Sequence, residues 1–226
     1  HGAEPRDPGA LLIAGLERPT TGTIRIGARE VSGRTFVPPE DRGIGMMFQD
    51  YALFPHMTVT QNVQFGLAGM PRAEARAKAE AALERIGLRH RADAYPHALS
   101  GGEQQRVALM RALVPAPGIL LMDEPFSNLD RRTRNRIRDD TATILRETKA
   151  TAILVTHDPE DAMRVANRVM LMEGGRIARS GTTEELYRDP ESLLVARFFA
   201  EFNELETTVQ DGRVATALGS FAAGRL

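Results

Sequence analysis

The sequence predicts an α/β protein built on a mostly parallel sheet, and three observations carry that prediction. Two continuous apolar runs, 119–122 (ILLM) and 152–155 (AILV), flank a charged amphipathic stretch at 131–148. Strand, helix, strand with both strands apolar throughout is the pattern of a βαβ unit in a buried parallel sheet. Residues 71–86 add a helical, Ala-rich, charge-decorated pattern. Residues 207–216 (TTVQDGRVAT) place Asp-Gly between two β-prone arms, a hairpin signal that opens an incomplete β segment at the C-terminal end.

In chain order, residues 1–9 are rich in Gly, Pro and charge and read as irregular. Leu11, Leu12, Ile13 and Leu16 mark the end of a short helix that closes near Gly15. Residues 23–31 alternate like a strand, with a turn at Gly27, and 43–49 (GIGMMFQ) read as a short buried strand. Gly87 suits the C-terminal cap of the helix at 71–86. Ser100 and Glu103 have capping-box spacing, so a helix runs from there to Leu113 and stops before Pro115. A further strand fits 168–172, with a turn at Gly174-Gly175 and a return at 177–179. The character of the chain changes near residue 203.

Composition bounds the function. The chain has 226 residues, 42% hydrophobic and 26% charged, an ordinary globular balance. Lys+Arg is 29 and Asp+Glu is 30, so the net charge of −1 gives no footprint for general nucleic-acid binding. There is no Cys, which excludes disulfides, zinc–thiolate sites and thiol catalysis. No apolar run approaches the ~18–20 residues of a membrane-spanning helix. No secretory signal is visible, so the reducing cytoplasm is the expected compartment. Only two residues, Lys78 and Lys149, are lysine.

In open parallel sheets, ligands bind beyond the carboxyl ends of the strands. Asp123-Glu124 follow one apolar run and His157 follows the other. Adjacent carboxylates after a buried strand suit Asp123 toward a Mg²⁺ ion and Glu124 toward an attacking water, with His157 toward a transferring phosphoryl group. The competing reading is plain surface acids, with a helix N-cap at Thr156 or Asp158. Ser100, Gly101 and Gly102 at a helix N-terminus offer N–H donors and a positive dipole end to an anion. A capped helix and nothing more is the alternative. Gln49, after its strand, is a candidate contact to Mg²⁺ or water.

Taken together, LSGGEQQR (99–106), ILLMDEP (119–125), SNLD (127–130), VTHD (155–158) and MMFQDYALFPHMTV (46–59) resemble ABC-transporter ATP-binding subunits. They correspond to that family's signature motif, Walker B, D-loop, H-loop and Q-loop, in its order and spacing. The resemblance covers about residues 11–203 and implies a P-loop NTPase-like core with a helical subdomain at about 60–98. It implies that Asp123 and Gln49 attend Mg²⁺, and that Glu124 and His157 act on ATP. Ser100, Gly101 and Gly102 would meet the γ-phosphate of ATP held by a second ATPase subunit, in a homo- or heterodimer. Asp130 would lie at that interface. The stretch from Tyr51 to Met57 would face the coupling helix of a membrane permease, at the cytoplasmic face of the plasma membrane. Residues 1–203 would form the ATPase domain and 204–226 the start of an accessory domain. YALFPHMTV and RFFAEFNELE look most like ferric-iron importers, with sugar and polyamine importers close.

One family element has no counterpart. The Walker A loop, G-x-x-x-x-G-K-[ST], is absent; its lysine position falls on Arg6, its Ser/Thr on Asp7 and the preceding glycine on Pro5. Pro5 and Pro8 lack the N–H groups such a loop aims at phosphate, and Asp7 brings a negative charge toward it. The chain is therefore expected not to hydrolyse ATP alone. A start on His1 points to an incomplete or frame-shifted record. Two alternatives remain: a non-catalytic partner that completes a composite site through LSGGE, and a non-transport relative. The run 131–138 (RRTRNRIR) is the sole support for a nucleic-acid role, and it reads as a solvated helix face.

Overall fold

The computed structural model describes residues 8–200, 208–216 and 219–222. The chain divides into two compact units, residues 1–169 and 170–226, earlier than the change of character expected near residue 203.

The first unit opens on helix α1 (Pro8–Ala14), closed by Gly15 in the left-handed region at φ +82°. Strands β1 (Ile24–Ile26) and β2 (Arg29–Ser32) form an antiparallel hairpin that turns at Gly27. Arg42 ties the two pieces together. Its buried guanidinium donates to the carbonyls of Leu12 and Ile13 in α1, and of Val31 and Val37 beyond. Four carbonyl partners, with no carboxylate among its described hydrogen bonds, make it a cationic cap for the helix C-terminus.

Strands β3 (Ile44–Met47), β4 (Ile119–Asp123) and β5 (Ala152–Val155) form a parallel sheet in the order β3-β4-β5. Met46 pairs with Leu121, and Leu121 with Ile153. The two apolar runs therefore are neighbouring strands, as their pattern requires. Their burial differs: Leu120, Leu121 and Met122 of the central strand are buried, while β5 is half-buried along its length. Among the described residues β5 pairs on one side only, which explains the difference from the expected full burial.

Helices α2 (Val59–Gln64) and α3 (Arg72–Arg85) pack with α4 (Gly101–Leu113), and α4 in turn packs on β3. Val59, Val63, Leu83, Val107 and Phe126 belong to one continuous apolar core, so the α2–α3 segment shares its interior with the sheet. Asn62 is the polar centre of this region. Its buried amide accepts from Phe54 N and donates to the carbonyls of Phe54, Met57 and Thr58. A loop otherwise without ladder partners is thereby satisfied from inside. Helix α5 (Arg131–Thr148) joins β4 to β5, and α6 (Pro159–Val165) follows and packs against α5.

In the second unit, β6 (Val169–Glu173) and β7 (Arg176–Gly181) pair around Gly174-Gly175, both with positive φ. Helix α7 (Thr183–Arg188) starts on a Thr182–Glu185 capping box, and α8 (Leu193–Phe199) follows. Strands β8 (Val209–Gln210), β9 (Arg213–Thr216) and β10 (Gly219–Ala222) form an antiparallel sheet. Asp211 (φ 51°) and Gly212 (φ 70°) turn the expected hairpin; Thr207 lies outside the described residues.

Candidate functional site

The carboxyl edge of the β3-β4-β5 sheet gathers most of the expected polar groups. Asp123 is buried at the end of β4, paired in register with Val155. Glu124 extends the ladder by one bond, donating its N–H to Val155 O at 2.9 Å. The chain then turns sharply. Glu124 has φ +45°, uncommon for a residue with a Cβ. The turn is held by Ser127, whose N–H and hydroxyl both donate to Glu124 O, at 3.3 and 3.0 Å.

This turn aims the Glu124 carboxylate across to β5. Its Oε1 accepts from His157 N at 3.0 Å and lies 2.7 Å from His157 Nδ1. Nδ1 carries the proton it shares with Glu124, which leaves Nε2 on the open side of the ring. The His157 side chain is 75% exposed and that of Glu124 only 17%, so the pair has an anchored half and an open half.

The segment behind His157 is held by hydrogen bonds. Thr156 Oγ1 donates to Asp161 Oδ2 at 2.7 Å and accepts from Asp158 N at 3.0 Å. Asp158 caps α6 through Oδ1, which accepts from Glu160 N at 2.8 Å. The N-cap reading is thus realised at Asp158, and the cap fixes the loop that carries His157.

Gln49 follows β3 and is half-buried. Its carbonyl accepts from Asn128 Nδ2 at 2.7 Å, which ties the end of β3 to the 127–130 loop. That bond uses the backbone of Gln49 and not its side chain. Asp130 caps α5, accepting from the N–H groups of Arg132 and Thr133 at 3.1 and 3.0 Å. The Thr133 hydroxyl and amide hold its carboxyl below the usual range.

Ser100, Gly101 and Gly102 form a second group at the N-terminus of α4. Ser100 is exposed, and its capping box is complete. Ser100 N and Oγ both donate to Glu103 Oε2 at 2.8 Å, which holds the Glu103 carboxyl below its usual range. A Cβ on Gly102 would lie 3.0 Å from Thr133 Cγ2, so part of the glycine signal comes from close packing of α4 on α5. A Cβ on Gly101 would meet Leu129 at an ordinary 3.5 Å. This group faces the 127–130 loop and the first turns of α5.

The 51–57 segment departs from expectation at one end. Tyr51 is buried and left-handed, with burial pushing its hydroxyl up to about 12. Arg111 of α4 donates to the carbonyls of Tyr51 and Ala52. The exposed residues of the segment are Ala52, Pro55 and His56. Beside them Met57, Phe65, Leu67 and Met70 line a shallow groove.

Among the described residues no three acidic or imidazole groups converge as a metal cage. One buried carboxylate at a strand end nonetheless fits Mg²⁺, which keeps several waters and takes phosphate oxygens as ligands. Residues 5–7, where the Walker A positions fall, lie outside the described residues.

Sequence reasoning gave Asn128, Arg134 and Arg138 no role of their own and named Thr156 only as a candidate N-cap. The arginines sit in the run expected to be a solvated face. Arg138 is instead 1% exposed, and Arg134 is half-buried. Their i,i+4 spacing with Ile137 between them was the available signal.

A parallel sheet that delivers an acidic pair and an imidazole to its carboxyl edge, beside a capped glycine-rich helix, belongs to the class of P-loop NTPase domains. Residues 10–127 match the family model described as ABC transporter. The chain belongs to the ABC transporter family, as an ATP-binding domain. It is 46% identical over 200 residues to the Fe(3+) ions import ATP-binding protein FbpC of Rhizobium etli, covering 88% of this chain and 56% of that protein. It is 43% identical over 211 residues to the sulfate/thiosulfate import ATP-binding protein CysA 2 of Chromobacterium violaceum, covering 92% and 56%. The chain thus spans about half the length of the curated relatives it matches. Among solved structures it resembles the ATP-binding cassette MJ0796, a dimeric post-hydrolysis state bound to ADP and Pi. That match has a TM-score of 0.65 and 30% identity, covering 77% of this chain and 79% of that one.

Proposed function

We propose that the chain is an ATP-hydrolysing subunit of an importer and that the cargo is ferric iron. The observation that carries the chemistry is the Glu124–His157 pair, 2.7 Å apart at the ends of adjacent parallel strands. Glu124 orients and polarises the attacking water. His157 donates Nδ1–H to Glu124 and, with the ring carrying both protons, donates Nε2–H to a γ-phosphoryl oxygen. Asp123 is the residue that would hold Mg²⁺ through water, with the Gln49 side chain as its second attendant. Mg²⁺, when bound, supplies charge neutralisation on the phosphates.

Ser100, Gly101 and Gly102 serve ATP bound by a second ATPase subunit, and Asp130 lies at that interface. The exposed position of Ser100 and Gly101 at the start of α4 supports this reading. A permease docks on the 55–57 tip and the adjoining groove, at the cytoplasmic face of the membrane. No helix among the described residues is long and apolar enough to cross a membrane. Iron rests on the names of several relatives at 46–47% identity, against a sulfate/thiosulfate relative at 43%.

The sequence holds no Gly-x-x-x-x-Gly-Lys-Ser/Thr loop. The chain by itself therefore does not turn over ATP, and it acts within a dimer. Mg-ATP turnover is measured for the chain alone and for the assembled transporter. The expected result is no turnover alone, and turnover in the assembly that Ser100→Arg or Glu124→Gln lowers by about 100-fold or more. Turnover in the assembly that is indifferent to both substitutions overturns the proposal. Turnover by the isolated chain, lost in Glu124→Gln, overturns the need for a partner.

A further inference from the structure

Helix α5 carries two arginines one turn apart whose bonds run in different directions. Arg138 is buried among acids from the segment after β5. It pairs with Asp161, lies 2.6 Å from Asp158 Oδ2 and 2.7 Å from Glu160 Oε2, and donates to Asn135 Oδ1 at 2.9 Å. Each of those acids belongs to the α6 cap or its first turn. Arg138 therefore fastens the 156–161 segment to α5, and none of its described hydrogen bonds reaches the 127–130 loop.

Arg134 does both. Its Nη2 donates to Leu129 O at 2.9 Å and, more weakly, to Ser127 O at 3.4 Å. Its Nη1 lies 3.3 Å from Asp158 Oδ2, the same oxygen that Arg138 holds. The opposite oxygen of Asp158 caps α6. A rigid planar fork can satisfy two directions at once, which a lysine ammonium on a flexible stem cannot do in the same geometry. At both ends the segments lead directly to the catalytic pair. Ser127 holds the Glu124 carbonyl, and Thr156 and Asp158 flank His157.

We propose that Arg134 is a positioning residue that locks the 127–130 loop to the 156–161 segment. The loop carrying Asp130 and the segment carrying His157 then move as one body. Its catalytic meaning rests on the proposed ATPase function; the mechanical link does not. A displacement of the 127–130 loop, imposed by a neighbouring subunit, would reach the segment behind His157 through this guanidinium, beside the path that runs from Ser127 through Glu124.

The test reads hydrogen exchange on the full chain without nucleotide. The Leu129 amide, bonded to Phe126 O at 3.2 Å, reports on one segment, and the Glu160 amide on the other. Arg134→Met is expected to speed exchange at both by about tenfold, the loss of one charge-assisted bond at each end. Amides of β4 and α4 stay unchanged. Arg134→Lys restores one segment and not both. In the assembled transporter, Arg134→Met lowers kcat by about tenfold while KM for ATP moves less than about twofold, the split expected for lost positioning. Exchange that rises at one segment only, or throughout the unit, overturns the proposal. An assembly without turnover in the wild type would sink the ATPase reading, and exchange would still decide Arg134.

Discussion

Replacing Arg138 with Met isolates the largest electrostatic commitment in the fold. The substitution keeps an unbranched apolar stem and removes the guanidinium from three carboxylates. Those three are not equal. The side chains of Glu160 and Asp158 are 50% and 23% exposed and can turn to water. The side chain of Asp161 is 3% exposed and would keep only the Thr156 hydroxyl as partner. Asp161 therefore dominates the cost. Removing one member of a buried pair costs about 3–5 kcal/mol, and the lower end applies where two of three acids can rehydrate. For a unit of this size, each kcal/mol lowers the melting temperature by about 2–4 °C, so roughly 6–12 °C is expected. The pH dependence has a definite sign. Burial already pushes the Asp161 carboxyl above its usual range, opposed by Thr156 and Arg138. Without Arg138 it rises further, and the folded variant binds a proton that the unfolded chain releases. A raised folded pKa adds stability as pH falls. Thermal unfolding by circular dichroism at pH 7 and pH 5 should show a smaller deficit at pH 5. A loss below about 1 kcal/mol at pH 7, the size of a surface pair, would refute the reasoning. So would a deficit that grows on acidification.

Two further predictions concern stability. Gly15→Ala places a Cβ 2.5 Å from the Arg42 guanidinium at φ +82°, whereas Gly22→Ala, at φ +86°, meets nothing within 4 Å. Denaturant unfolding should show about 1 kcal/mol lost at Gly22 and clearly more at Gly15; equal losses would remove the Arg42 contact from the argument. Glu103→Gln keeps the capping box but removes its charge. The Ser100 amide leads the groups that depress the Glu103 carboxyl, so its contribution is present above the unfolded value of about 4.3 and is lost as pH falls through the folded value. Melting curves should show wild type ahead by about 0.3–1 kcal/mol at pH 7, with the gap closing under acid.

Much of the architecture was legible because burial wrote it into apolar runs. The strands at Ile119–Asp123 and Ala152–Val155, the Ser100 cap and the Asp211-Gly212 turn each rest on a local rule. The parts that were not legible depend on partners distant in the chain. Arg138 looked like one more charge in a solvated run, since its acids lie 20 and more residues on. Asn62 gave no signal, because its bonds go to backbone carbonyls of a neighbouring loop. The left-handed turns at Glu124, Tyr51 and Ala52 occur in residues that do not favour them, so no composition rule could mark them. At the site, the pairing of Glu124 with His157 followed from adjacent strands. The engagement of the Ser100 hydroxyl by Glu103 was visible only as a spacing.

Helix α4 begins at the Ser100 cap and ends with Arg111 holding the carbonyls of Tyr51 and Ala52. Its 13 residues make a rod roughly 20 Å long. The buried side chains along it leave little room to bend. Such a rod has two working tips and no slack between them. A load applied at Tyr51 and Ala52, where Arg111 holds both carbonyls, would be carried along the helix toward Ser100 as a push or a pull. The serine and glycines at one end and the outward loop at the other are thus two handles of a single stiff part.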